Sequence, residues 1–278
     1  MTAVASRTIA AMDPRRAGRR DLVLLGVTVV ALSRFLDGPL VWVVAAILLA
    51  TLVLGTLQVL GEGEPAGVPI ESLFAPAVAG VAALGAGRLV AIGPWLVVAL
   101  VAAWLVMDAA LALEARLLAQ RHAPDERDRR AVIGLATLLA FLSFMGAGAL
   151  VPGGLADPSG GAGSAIAESD LALLALADAV VAGLLGYRLA ALRHPSLRDA
   201  LWSSVTYAVV IAIAAGALRV LAVPRLAGPA LLALVFYLWD AVHGAPPALR
   251  RERRWLADIA LLAALGIVVL VLTLQLRG

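Results

Sequence analysis

The sequence predicts an all-α integral membrane protein, a polytopic bundle of about nine transmembrane helices. Of its 278 residues, 62% are hydrophobic, and the mean hydropathy is +0.98. Soluble globular domains are only about 45–50% apolar. Apolar runs of span length recur along the chain, with most of the charge in short clusters between them. Since about 20 apolar residues cross the ~30 Å hydrocarbon core as a helix, these runs indicate membrane spans.

The breaks between the apolar runs give the limits of each span. The run Leu73–Leu113 is 41 residues long, enough for two spans, and Gly93-Pro94 divides it near its middle. Proline lacks an N–H group and fits the first turn of a new helix, so this pair predicts a tight hairpin. The first span is short, and whether it crosses the whole bilayer is left open. We predict spans over residues 22–36, 40–60, 73–92, 95–117, 131–151, 170–190, 200–222, 226–243 and 255–276.

The arginines predict the orientation of the helices. All 22 basic residues are arginine, and with nine spans 17 of them fall on the side of the N-terminus. Cytoplasmic segments carry the excess of basic residues. We therefore expect a multi-pass protein of the bacterial inner membrane, with its N-terminus in the cytoplasm and its C-terminus outside. Residues 1–20 are predicted to be a disordered cytoplasmic tail, and residues 21–278 a single transmembrane domain.

Three predicted outer turns share a pattern that suggests an internal repeat. The segments Ser33–Trp42, Gly87–Leu96 and Leu218–Leu232 each contain an arginine followed by Gly-Pro. This pattern predicts two parallel four-helix repeats, 21–118 and 131–243, plus an extra helix over 255–276. Parallel repeats occur in several transporter folds. The alternative is coincidence, because every membrane hairpin needs a helix breaker and tolerates an interfacial arginine.

Three aspartates within the predicted spans are the candidates for a functional site: Asp108, Asp178 and Asp240. A charged carboxylate at the bilayer centre costs about 2.5–3.5 kcal/mol on insertion scales, so it tends to face a cavity or a partner. Such a group can carry protons or contact a substrate. The alternative is that each aspartate joins helices through hydrogen bonds.

The arginines of the outer turns, Arg34, Arg88 and Arg219, are candidates for binding an anionic group. The simpler interpretation is that they anchor helix ends at the membrane interface. On the inner side, the basic segment Ala248–Trp255 is expected to attract anionic lipid, at about 1 kcal/mol per arginine. We expect no nucleic-acid partner, since the basic residues flank spans. A membrane-protein partner or a homo-oligomer is possible.

The sequence indicates no catalytic residue, no metal site and no cofactor. It contains no cysteine and no nucleotide-binding loop, serine-hydrolase motif or zinc-protease motif. Its three histidines, His122, His194 and His243, fall in separate connections. Small residues at Ala77–Gly87 and Phe144–Leu150 instead predict close helix packing.

Three functions remain open at this stage. The first is a transporter or permease-like protein for a small or lipidic substrate, in which the three aspartates line one cavity. The second is a non-catalytic membrane subunit or scaffold, in which the aspartates pair within the bundle. The third and weakest is a lipid-modifying membrane enzyme, which would use Asp240, His243 and nearby arginines. We expect that the chain is not an enzyme.

Overall fold

The chain forms nine α-helices and no strand within the residues that the computed structural model describes. These are residues 14–36, 38, 40–62, 67–120, 125–151, 154, 167–194, 196–221, 223, 227–246 and 248–275. The helices are α1 (Pro14–Leu32), α2 (Leu40–Gly61), α3 (Phe74–Gly87), α4 (Pro94–Ala119), α5 (Glu126–Leu150), α6 (Glu168–Ala191), α7 (Leu197–Val220), α8 (Ala227–Gly244) and α9 (Arg253–Gln275). Short 3-10 helices occupy Ser33–Phe35, Ile70–Leu73 and Leu249–Arg251.

Eight of these helices are long and apolar enough to cross a bilayer. They are α2 and α4 to α9, together with α3 and the 3-10 turn before it, which make one segment from Ile70 to Gly87. The predicted fold class is therefore confirmed: the chain is a multi-pass helical membrane protein. Helix α1 falls short of this criterion because its first turns are the basic segment PRRAGRR.

The predicted disordered tail requires a correction at its end. Helix α1 begins at Pro14, so residues 14–20 are helical rather than disordered. Proline at the start of a helix loses no hydrogen bond. The Arg19 Nε atom also lies 2.9 Å from Asp108 Oδ1 on α4, which holds this turn against the bundle. Residues 1–13 lie outside the described part of the chain.

Helix α3 lies at the centre of the bundle and joins its two parts. Most of its residues are alanine, glycine or another small apolar residue, and most are buried. It packs against α1, α2, α4, α5 and α6. A Cβ atom added to Gly85 would lie 2.5 Å from the Cα atom of Gly146 on α5, so the two backbones touch there. The predicted small-residue packing is confirmed at this crossing.

The helices α1–α4 and α5–α8 pack in the same order. Helix α1 contacts α2 and α4, and α3 contacts the same two; α5 contacts α6 and α8, and α7 contacts the same two. Each set is thus a ring of four helices. This agreement is what a parallel repeat requires, and the repeat over 21–118 and 131–243 stays a prediction.

The bundle has two ends, which we name by one residue each. At the Arg88 end, the Arg34 side chain near the end of α1 donates to backbone oxygens just after α3, and the Arg219 side chain near the end of α7 donates to Gly154 just after α5. At the Arg188 end, side chains near the C-termini of α4, α6 and α8 form ion pairs. In the predicted orientation the Arg88 end faces outward.

Helix α9 lies at the edge of the bundle. Among the helices it contacts α8, and its apolar residues are exposed along nearly its whole length. A fully exposed apolar helix of this length is stable only against lipid or another membrane helix.

Candidate functional site

A buried carboxyl group lines a small pocket near the Arg88 end. Asp178, ten residues into α6, is only 2% exposed, and its Oδ1 atom has no hydrogen-bond partner among the described residues. The same pocket is lined by Arg219, the residue before the last of α7. The two side chains attract each other electrostatically. Of the three predicted aspartates, Asp178 is the one that lines this pocket.

The remaining walls of the pocket are apolar or small and come from α5, α7, α8 and the segments that adjoin them. They are formed by Phe144, Gly154, Ala215, Leu218, Val223, Gly228, Pro229 and Leu232. The pocket has a volume of about 30 Å³, which is room for one or two water molecules. Anything larger enters only if the helices around it separate.

The Arg219 guanidinium is held by backbone rather than by a carboxylate. Its Nη2 atom donates to the backbone oxygen of Gly154, just after the end of α5. Gly154 lies in the connection after α5, which ends at Leu150, so this hydrogen bond ties the end of α7 to that connection. The positive charge of Arg219 also acts on Asp178.

The other two predicted arginines, Arg34 and Arg88, join the two turns of the first four helices at the Arg88 end. Arg34 donates to the backbone oxygens of Arg88 and Val90 at 2.9 and 2.8 Å. Arg88 donates in return to those of Ser33 and Leu36 at 2.7 and 3.0 Å. Both therefore close helix ends, while Arg219 lies apart from them on α7. Binding of an anion by these arginines stays a prediction.

Asp240 is buried at the Arg188 end and is fully paired. Arg193, in the connection after α6, donates to both of its oxygens at 2.6 and 2.8 Å, and the Tyr207 hydroxyl donates to Oδ1 at 2.6 Å. Burial works against the charged guanidinium, but the attraction and hydrogen bonds of Asp240 outweigh it, so the pKa of Arg193 is raised. This group joins α8 to α7 and to the end of α6.

Asp108 is also paired, with Arg19 on α1. Both side chains are partly exposed, about 30% for Arg19 and 27% for Asp108. The pair fixes α1 against α4. Two of the three predicted aspartates thus hold helices together, and the third lies in the pocket.

Sequence reasoning missed the most buried ion pair that the described residues contain. Arg188 near the end of α6 donates through Nε and Nη2 to the two oxygens of Glu114 on α4, at 2.8 and 2.7 Å. Both residues are buried, with 4% and 1% of their surface exposed. They are 74 residues apart, so no spacing along the chain links them. The one local signal is that both lie inside the predicted spans 95–117 and 170–190, where a charged side chain needs a partner.

Of the residues expected for a lipid-modifying enzyme, Asp240 meets an arginine but the His243 ring is directed elsewhere. His243 is exposed, its Nδ1 atom lies 3.0 Å from the backbone oxygen of Trp239, and its ring stacks on that tryptophan at 3.8 Å. Asp240 instead faces Arg193 and Tyr207. Within the described part of the chain, no group of three histidine, aspartate or glutamate side chains could hold a metal ion.

The chain was compared with known proteins in three ways. No protein-family model, no curated protein and no solved structure is significantly similar to it.

Proposed function

We propose that the chain is a transporter or permease-like membrane protein for a small or lipidic substrate. The observation that carries the proposal is the pocket of Asp178 and Arg219. A buried carboxyl group without a hydrogen-bond partner is costly in a membrane protein, and such groups commonly mark substrate or ion pathways. Among the described residues, Asp108 and Asp240 form ion pairs, whereas the Asp178 Oδ1 atom has no hydrogen-bond partner.

The position of the pocket agrees with this role. It is bounded by four helices, α5 to α8, at a point where α7 ends and α8 begins with Gly228 and Pro229 close together. Since the pocket admits only water-sized molecules, transport requires α7 and α8 to move apart near the Arg88 end.

The test begins with the molecule that the protein carries from its own membranes. Full-length protein is released gently and examined by native mass spectrometry, beside the Asp178→Asn variant and the control Asp170→Asn, which makes the same substitution in the first turn of α6. We expect a defined small molecule or lipid on the unmodified protein and the control, and its loss from Asp178→Asn. The unmodified protein and Asp170→Asn should carry that molecule into vesicles, and Asp178→Asn should not. Equal flux in Asp178→Asn would contradict the proposal.

A second candidate function, a membrane subunit or scaffold, is favoured by α9. Within the described residues, that helix packs mainly against α8 and is exposed along nearly its whole length. Paired aspartates at positions 108 and 240 also fit this function. In the same mass measurement, a protein partner in fixed ratio, retained by both aspartate variants, would favour the subunit over the transporter.

A further inference from the structure

We infer that the pocket of Asp178 and Arg219 is a proton-binding site in which Arg219 changes partner as Asp178 gains or loses a proton. In the state described, Arg219 donates to the Gly154 backbone oxygen and Asp178 Oδ1 accepts no hydrogen bond. This is the arrangement expected for a neutral carboxyl group, since an ionised carboxylate would lack hydrogen bonds at great cost. A role for this proton as the coupling ion of a transporter rests on the function proposed above.

The oxygen atoms of the pocket favour a proton over a metal ion. Arg219 on α7 is the charged group of the described residues that acts on Asp178. Among those residues no second carboxylate lines the pocket, whereas small hard cations require several oxygen ligands. The volume admits water, which can deliver a proton, and excludes an organic ligand.

Among the described residues, the other helices around α6 bring no titratable group to the pocket besides Arg219. Helix α3 contains none, and those of α5 lie in its first turns, at the Arg188 end of the bundle. Those of α8 lie in its second half, away from Gly228 and Pro229: Tyr237, Asp240 and His243. Within the described residues, Asp178 is therefore the group of the pocket that gains or loses a proton, and Arg219 is the charge that acts on it.

The exchange involves one O–H bond and one change of hydrogen-bond partner. A hydronium ion in the pocket gives its proton to the Asp178 carboxylate and leaves as water. The carboxylate loses its charge, and the Arg219 guanidinium, which stays protonated throughout, turns from the carboxylate to the Gly154 oxygen. Release of the proton reverses both changes. Because Gly154 follows the end of α5, the state of Asp178 is transmitted to the segment after that helix.

The proposal is tested by infrared difference spectroscopy of the full-length protein in vesicles during a pH titration. We expect the C=O stretching band of a buried protonated carboxyl group to grow as the pH falls. The band should be absent in Asp178→Asn and present in the control Asp170→Asn. An unchanged band in Asp178→Asn would overturn the proposal.

The role of Arg219 is tested in the same titration. Arg219→Gln removes the cation that favours the ionised form, so the half-point of the band should move to higher pH by about one unit or more, a change of tenfold or more in proton affinity. Arg219→Lys keeps the charge and should stay closer to the unmodified protein. If the half-point of the band is the same in Arg219→Gln as in the unmodified protein, the exchange of partners is overturned. This measurement remains decisive if Asp178→Asn fails to fold.

Proton flux separates this inference from the transport function. Vesicles containing the protein are loaded with a pH-sensitive dye and placed in a pH gradient. If Asp178→Asn abolishes both the carboxyl band and the proton flux, the proton site and proton-coupled transport are both supported. The band without any flux, even with the co-purified molecule added, supports the proton site and contradicts transport coupled to it.

Discussion

At the scale of single residues, the ion pairs of this protein differ in what they contribute. Glu114 and Arg188 are buried and doubly hydrogen-bonded, whereas Arg130 and Glu126, four residues apart on α5, are exposed at 77% and 68% of their side-chain surface. Exposed pairs contribute below about 1 kcal/mol because water and salt screen them. Removing one partner of a buried pair leaves an uncompensated charge in a medium of low polarity.

We expect Arg188→Met and Glu114→Leu each to lower the free energy of unfolding by about 3–5 kcal/mol, because each leaves the other charge buried and alone. The double variant should recover most of that loss, since it removes both charges together. Unfolding in detergent, followed by circular dichroism, measures all three. Arg130→Met, at the exposed pair, is the control and should change little. A double variant with a lower free energy of unfolding than either single variant would contradict this account.

At the scale of helices, the crossing of α3 and α5 depends on two glycines. Gly85 and Gly146 let the two backbones touch, and a methyl group at Gly85 would overlap the Cα atom of Gly146. Overlap with backbone cannot be relieved by turning a side chain. The helices must separate, and the contact that joins the two rings of four helices weakens.

Gly85→Ala should therefore destabilise the protein by about 1–3 kcal/mol, although alanine is the better helix former. The matched control is Gly134→Ala on α5, where an added Cβ atom meets nothing within 4 Å. There the gain in helix propensity should raise the melting temperature slightly. Equal melting temperatures of Gly85→Ala and the unmodified protein would show that α3 and α5 are not so close in solution.

At the scale of the whole molecule, the two ends of the bundle are defined but their sides of the membrane remain a prediction. The natural sequence contains no cysteine, so one introduced thiol reports one position. Ala91 lies in the exposed turn before α4 at the Arg88 end, and His194 is exposed in the connection after α6 at the Arg188 end.

We expect Ala91→Cys to react with a membrane-impermeant maleimide in intact cells, because the arginine distribution places the Arg88 end outside. His194→Cys should react only after the membrane is opened. Labelling is read from the mass of the purified protein. The reverse pattern would invert the topology and put the pocket of Asp178 on the cytoplasmic side.

The sequence by itself determined the class of the protein and most helix limits. Span length, apolar runs and breakers such as Gly93-Pro94 act within a few turns of chain, so they can be read locally, and α4 indeed begins at Pro94. The predicted tail was wrong from Pro14 onward: α1 begins there, and Arg19 in its second turn pairs with the distant Asp108.

Only the tertiary structure decided which charges meet. Glu114 with Arg188, Arg193 with Asp240, and Arg19 with Asp108 each join different helices, and the choice depends on how those helices are arranged around one another. No spacing along the chain encodes that arrangement, because partners 47 or 74 residues apart meet only after packing. The same packing leaves the Asp178 Oδ1 atom without a partner beside Arg219.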